Sequence, residues 1–279
     1  MKRALTVTWA LARACHPLPT VGVTAVAAGL TLGTDRPLGA SSIVIAAVFA
    51  GQLSVGWLND LVDAPRDSHV GRTGKPLVAG EVQPTTVRAG AVAAAALAVL
   101  LSLPSGLTAA AAHTTALVSA WAYDLGLKST AVSALPYAVS FALLPAFVSA
   151  GLPGAPLPPP WLMAAAACLG CAAHFVDVLP DLAADAATGV RGLPHRLGPN
   201  ASRATAAALV LGASALLAFG PPGPPSAAGL AAVPLSAAVL AVGVLADRRR
   251  PQSRAAFRAV VLVALIDVAL LLHTGVAAG

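Results

Sequence analysis

The sequence predicts an all-α membrane protein, a bundle of about nine transmembrane helices forming a single domain over residues 1–279. Three observations carry that prediction. The chain is 57% hydrophobic and only 10% charged, with a mean hydropathy of +0.81, outside the range of soluble domains. Apolar stretches of about 17–25 residues, long enough to cross a bilayer as helices, recur along it. Lysine and arginine gather at alternate ends of those stretches, as they do where cytoplasmic loops hold the positive charge. Backbone groups in hydrocarbon must be hydrogen-bonded within the segment, so spans of this kind are helices.

In chain order, residues 2–16 read as an amphipathic interfacial helix. No apolar core followed by a small-residue cleavage site marks a signal peptide. Apolar segments then follow at 17–34, 38–58, 84–103, 106–123, 130–150, 160–177, 200–219, 226–246 and 256–275. With the N-terminus inside, the inner connections are 59–83, 124–129, 178–199 and 247–255. Together with the N-terminal segment and the adjoining helix ends they hold sixteen of the 17 basic residues, every one except Arg36. The outer connections are short or rich in proline and glycine, as in Leu152–Pro160 and Gly220–Pro225. The sequence pI near 9.9 therefore follows from topology, and no nucleic-acid partner is implied. Arg248-Arg249-Arg250 reads as a topology and headgroup anchor. Cys168-x-x-Cys171 lies inside an apolar segment and reads as small buried side chains.

Two of the apolar segments end in aspartate runs. One reads Asn59-Asp60-x-x-Asp63-x-x-x-Asp67 and the other Asp177-x-x-x-Asp181-x-x-x-Asp185. These runs hold six of the 11 acidic residues. Helical spacing returns each set to one face, and carboxylates so close repel unless a cation lies between them. A donor set made of carboxylates, without His or Cys, favours Mg2+ bridging to substrate phosphates. Arg72, Lys75, Lys128 and Arg191 stand nearby as partners for phosphate oxygens. Pro65 and Pro180 fall within the runs, so neither is expected to be an undistorted helix. The pattern of apolar helix, aspartate run and basic loop occurs at 38–75 and again at 160–196, four helices apart. That echo predicts two four-helix halves around a shared centre, plus one helix. Metal, diphosphate and an apolar interior for a hydrocarbon tail together describe prenyl chemistry.

The residues resemble those of the UbiA superfamily of intramembrane prenyltransferases. The first aspartate run with Gly71-Arg72-Thr73-Gly74-Lys75-Pro76 resembles that family's first signature. The second run with Thr188-Gly-Val-Arg191-Gly-Leu-Pro194 resembles its second, and Tyr123-Asp-Leu-Gly-Leu-Lys128 the turn between them. The resemblance implies a lateral opening to lipid and two Mg2+ ions bound with a prenyl diphosphate. By position, Asn59, Asp60, Asp63 and Asp67 would hold one ion, and Asp177, Asp181 and Asp185 the other. Arg72, Lys128 and Tyr123 would grip the diphosphate, with Lys75 and Arg191 at positions where the family varies between arginine and lysine. The implied activity is transfer of an isoprenyl group to an aromatic or quinone-precursor acceptor at the cytoplasmic side of the inner membrane.

Other residues admit two readings. Asp124 and Asp267 are candidate general bases. His113, Asp267 and His174 are ionisable groups within apolar segments, which either serve a site or hydrogen-bond between helices. Trp57, Trp121, Tyr137 and Phe141 could steady a carbocation through their ring faces or simply pack. A terpene cyclase on the same scaffold is the alternative function, and aromatics at only 4% argue against it. A secondary transporter is less in keeping with acids at the inner edge, because transport sites lie near the bilayer midplane.

Overall fold

The computed structural model describes residues 2–249 and 254–273, which leaves Arg250 and positions 274–275 outside the described residues. Eleven α-helices follow in order, with no strand among the described residues. They are α1 (Lys2–Ala14), α2 (Pro17–Leu32), α3 (Leu38–His69), α4 (Pro84–Ser102), α5 (Leu107–Leu125), α6 (Leu135–Ser149), α7 (Pro160–Val178), α8 (Leu182–Ala187), α9 (Leu193–Phe219), α10 (Ala227–Arg249) and α11 (Ala255–His273). Prolines stand in the first turn of α2, α4, α6, α7 and α9, where a missing N–H costs nothing. Within α9 the chain kinks at Gly198, whose φ of 80° precedes Pro199, so the straight part begins at the latter.

Six helices are individually long and apolar enough to cross a membrane: α3, α4, α7, α9, α10 and α11. The stretch Thr6–Ala14 and α2, bent by 69° at their junction, make a seventh if counted as one span. The remaining apolar segments, α5 and α6, are helices of 19 and 15 residues packed within the bundle.

Contacts between helices arrange an inner ring. α2 packs on α3, α3 on α5, α5 on α6, α6 on α7, α7 on α11, and α11 closes back on α2. α4 lies outside α3 and α5, while α9 and α10 lie behind α7 and α11. α3 and α7, which carry the two aspartate runs, are thus three places apart in a ring of six. Apolar side chains turn outward, among them Leu100 at 61% and Val242 at 68% exposure, while Asp60, Lys128 and His174 turn inward. That inversion of the soluble pattern is what a lipid solvent selects. Phe147, Val44 and Val48 fill one interior cluster, and Phe175, Val176, Val210 and Val263 fill another.

The proline expectation holds for one run and fails for the other. α3 continues as helix through Pro65 to His69. The stretch from Leu38 to Leu58 covers about 30 Å at ~1.5 Å per residue, which is the thickness of the hydrocarbon core. Pro65 stands further along α3 than the length one crossing needs, and beyond that length water could satisfy the carbonyl left free by the missing N–H. The second run does break: α7 ends at Val178, a 3-10 turn spans Leu179–Asp181 around Pro180, and α8 begins afresh.

Candidate active site

A cavity of about 260 Å³ fills the ring, with a charged end where the connections that follow α3, α5, α7 and α10 converge and an apolar depth. Val23 and Val26 of α2, Leu169 of α7 and Val260, Val261 and Ala264 of α11 line the depth. Asn59, Asp63, Arg72, Lys75, Tyr123, Lys128, Asp177, Asp181 and Asp185 line the charged end. Asp60 and Asp67, each 2% exposed, sit behind that wall and reach it through their partners.

On α3, the offsets of three and four residues turn the acids to one side. Asp63 accepts from Lys128 Nζ at 2.5 Å and from Arg66 Nη2 at 2.8 Å. Asp60 pairs with Lys75, and its Oδ1 lies 3.0 Å from His16 Nε2. Asp67 accepts from Arg72 Nη1 at 3.3 Å. The other nitrogen of the same guanidinium, Nη2, donates to Asp181 at 2.5 Å. Arg66 likewise lies between Asp63 and Asp185, 3.7 Å from the latter. The two runs therefore face each other across the width of one arginine.

The second run has further partners. Arg254 donates to Asp177 at 2.7 Å and to Asp181 at 2.9 Å. His195 Nε2 stands 3.4 Å from Asp185. Asn59 donates its amide to Asp124 at 2.8 Å. Tyr123 presents its hydroxyl 3.5 Å from His174 Nδ1 and meets Tyr137 edge-on at 5.1 Å.

His16, Arg66, His195 and Arg254 are site residues that the sequence reading passed over or counted only as topology. Arg66 was within reach of it, three residues beyond Asp63 on the same helix. His16 comes from the break between α1 and α2, in a left-handed conformation with φ of 55°, a strained state for a non-glycine residue. That break sits tight on α3, because a Cβ at Gly56 would overlap the Cys15 carbonyl. Arg191 is exposed and is not among the lining residues; its carbonyl accepts from Arg196.

Tyr137 and Phe141 line the cavity, whereas Trp57 and Trp121 do not; their indole N–H groups bond the Leu11 carbonyl and the Ser54 hydroxyl. Asp124 lines the cavity. Asp267 is instead held by Ser214 among α9, α10 and α11. His113 bonds Ser102 and stacks on Phe147 at 4.5 Å.

Among the described residues no group of three or more His, Cys, Asp or Glu is gathered closely enough to hold a metal ion as the side chains stand. Basic partners hold the acids instead. The donor chemistry nonetheless suits a hard divalent cation, being all oxygen, and one buried oxygen, Asp60 Oδ2, has no hydrogen-bond partner.

The UbiA prenyltransferase family matches residues 18–266 of this chain. No curated protein matches it. Among solved structures, a UbiA homolog from Aeropyrum pernix K1 superposes with a TM-score of 0.72 at 20% identity, covering 92% of this chain and 96% of its own. A UbiA homolog from Archaeoglobus fulgidus, bound to GPP and Mg2+, gives 0.71 at 18% identity, covering 95% and 99%. A digeranylgeranylglyceryl phosphate synthase gives 0.68 at 15% identity, covering 99% of both chains.

Proposed function

The chain belongs to the UbiA prenyltransferase family, and on that footing we propose that it transfers an isoprenyl group from a prenyl diphosphate to an aromatic or quinone-precursor acceptor. The observation that carries this reading is the bridge of Arg72 between Asp67 and Asp181, which sets two carboxylate runs against each other over an apolar cavity. The similar Archaeoglobus fulgidus homolog with GPP and Mg2+ supports the choice of ligands.

Asn59, Asp60, Asp63 and Asp67 would hold one Mg2+, and Asp177, Asp181 and Asp185 the other. The ions supply charge that stabilises the departing diphosphate. Arg72, Lys75 and Lys128 bind phosphate oxygens, with Tyr123 at the inner wall; Arg191, on the exposed side of its loop, steers anions toward the mouth. The allylic C–O bond breaks with its electron pair leaving on the diphosphate, and the cation is captured by an electron-rich carbon of the acceptor. Tyr137 and Phe141 offer ring faces to the cation in passage. The acceptor carbon then loses a proton; of the two carboxyls considered for this, Asp124 lines the cavity and Asp267 does not.

The same reading covers the whole chain as one domain with nine crossings, α2 to α7 and α9 to α11, and α1 at the interface. Two four-helix halves then begin at α3 and α7, with α2 added. The charged end of the cavity faces the cytoplasm across the inner membrane, as the crowding of basic residues there supports.

Purified protein given geranyl, farnesyl or geranylgeranyl diphosphate with a panel of aromatic acids should form prenylated acceptor in a Mg2+-dependent manner. Asp60→Ala and Asp177→Ala should each lower diphosphate release by at least about a hundredfold, the scale seen when groups that stabilise a leaving charge are removed. Unchanged release in both variants would sink the enzymatic reading. Hydrocarbon formed without any acceptor would instead favour a cyclase.

A further inference from the structure

Arg254 is built unlike the other cations of the site. It sits in a left-handed conformation with φ of 52°, at the head of α11. The next two backbone N–H groups, of Ala255 and Ala256, donate to the Asp247 carboxylate of α10 at 2.7 and 2.9 Å. Asp247 is itself 4% exposed. The backbone beneath Arg254 is therefore clamped between two helices. Its side chain is not: at 40% exposure it is the least buried of the basic side chains that pair with the two runs, against 9% for Lys128 and 28% for Arg72. From this fixed base the guanidinium spans both Asp177 and Asp181 at the cavity wall.

An ion pair still open to water is weaker than a buried one, and a guanidinium exchanges a carboxylate for a phosphate readily because both accept its two parallel N–H bonds. A divalent cation at Asp177 and Asp181 would compete for the very oxygens Arg254 holds. We propose that Arg254 is an exchangeable counter-ion of the second aspartate run: it neutralises Asp177 and Asp181 when the cavity lacks substrate and passes to the diphosphate when substrate enters. Diphosphate binding then frees the carboxylates for the metal, and metal binding frees the guanidinium for the diphosphate. The two ligands promote each other, a coupling that by linkage is reciprocal. This rests on the prenyl-diphosphate reading above and assigns Arg254 a part that positive-inside topology alone does not require.

Two single-ligand measurements on the full chain in detergent test it, with Mn2+ standing for the divalent ion and inorganic pyrophosphate for the substrate head. Without pyrophosphate, Arg254→Gln should bind Mn2+ about tenfold more tightly than the parent, by the signal of free Mn2+ in electron paramagnetic resonance. Without metal, the same variant should bind pyrophosphate about tenfold more weakly by calorimetry. Arg254→Lys keeps the charge but loses the fork, so it should leave Mn2+ affinity within about twofold and still weaken pyrophosphate. It also supplies the test should Arg254→Gln fold poorly. Both affinities unchanged in Arg254→Gln, or both moving the same way, would overturn the proposal while leaving prenyl transfer standing. A parent protein that binds both ligands but ionises no prenyl diphosphate would overturn the functional reading and leave the exchange intact.

Discussion

Lys128 and Arg254 serve neighbouring carboxylates in opposite ways. The Lys128 side chain is 9% exposed and tied to that of Asp63, itself 10% exposed, so this pair has been taken out of water as a unit. Removing one member of such a pair strands the other, which costs roughly 3–5 kcal/mol where no second partner remains. Arg66 also holds Asp63, so Lys128→Met should cost less, about 2 kcal/mol. Coupling it with Asp63→Leu should recover most of that loss in thermal unfolding while leaving diphosphate release abolished. A double variant as unstable as the single one would mean that Lys128 stabilises through packing of its stem. Residues of this kind were legible because the aspartate runs and the Tyr123–Lys128 turn are local patterns. His16 and Arg254 were not: they meet Asp60 and Asp177 across separations of 44 and 77 residues, and no spacing rule reaches so far. Arg191 shows that nearness in sequence does not by itself bring a side chain to the cavity wall. It follows the second run as a partner for phosphate oxygens, yet it is exposed, and His195, four positions on, stands beside Asp185.

At the scale of elements, two runs of similar spelling become different structures. α3 stays helical through Pro65, past the length that one crossing needs, whereas Pro180 closes α7 and restarts the chain as α8. The sequence held both prolines but not which of them would end its helix. One tight constraint between elements is steric. Gly56 on α3 leaves room for the Cys15 carbonyl at the α1–α2 break, and that break is what aims His16 at Asp60. Gly56→Val should force the two helices apart, at a cost of about 1–3 kcal/mol for overpacking. Because the lever acts on His16 and Lys75 together, diphosphate affinity should fall along with the melting temperature. His16→Ala, which leaves the helix contact alone, should lower affinity with a smaller thermal loss, because Lys75 still holds Asp60. If Gly56→Val melts early yet binds pyrophosphate normally, the break does not position the site.

For the whole molecule, the helical class and the position of each apolar segment were readable from hydropathy, because lipid imposes one backbone solution. Which of those segments cross is a finer matter, since α5 carries His113 and several threonines and α6 is short. The proposed nine-span reading has them cross. Both belong to the inner ring, and α5 delivers Tyr123 and Asp124 to the charged end while its head lies beside Ser105, near Arg36 at the other. Arg36, the one basic residue placed outside, bonds the Val148 carbonyl in the last turn of α6, so the far end of α6 lies there too. Accessibility then follows. In a variant with Cys15, Cys168 and Cys171 replaced by alanine, Leu107→Cys and Ala155→Cys should react with an impermeant thiol reagent from the outer face. Ala131→Cys, in the connection between α5 and α6, should react only from the inner face, as should Thr73→Cys beside the first aspartate run. Leu107, Ala131 and Ala155 all reacting from one side would mean that neither α5 nor α6 spans the membrane. The cavity would then have to open to lipid along that wall, where the ring now brings α5 and α6 together around its centre.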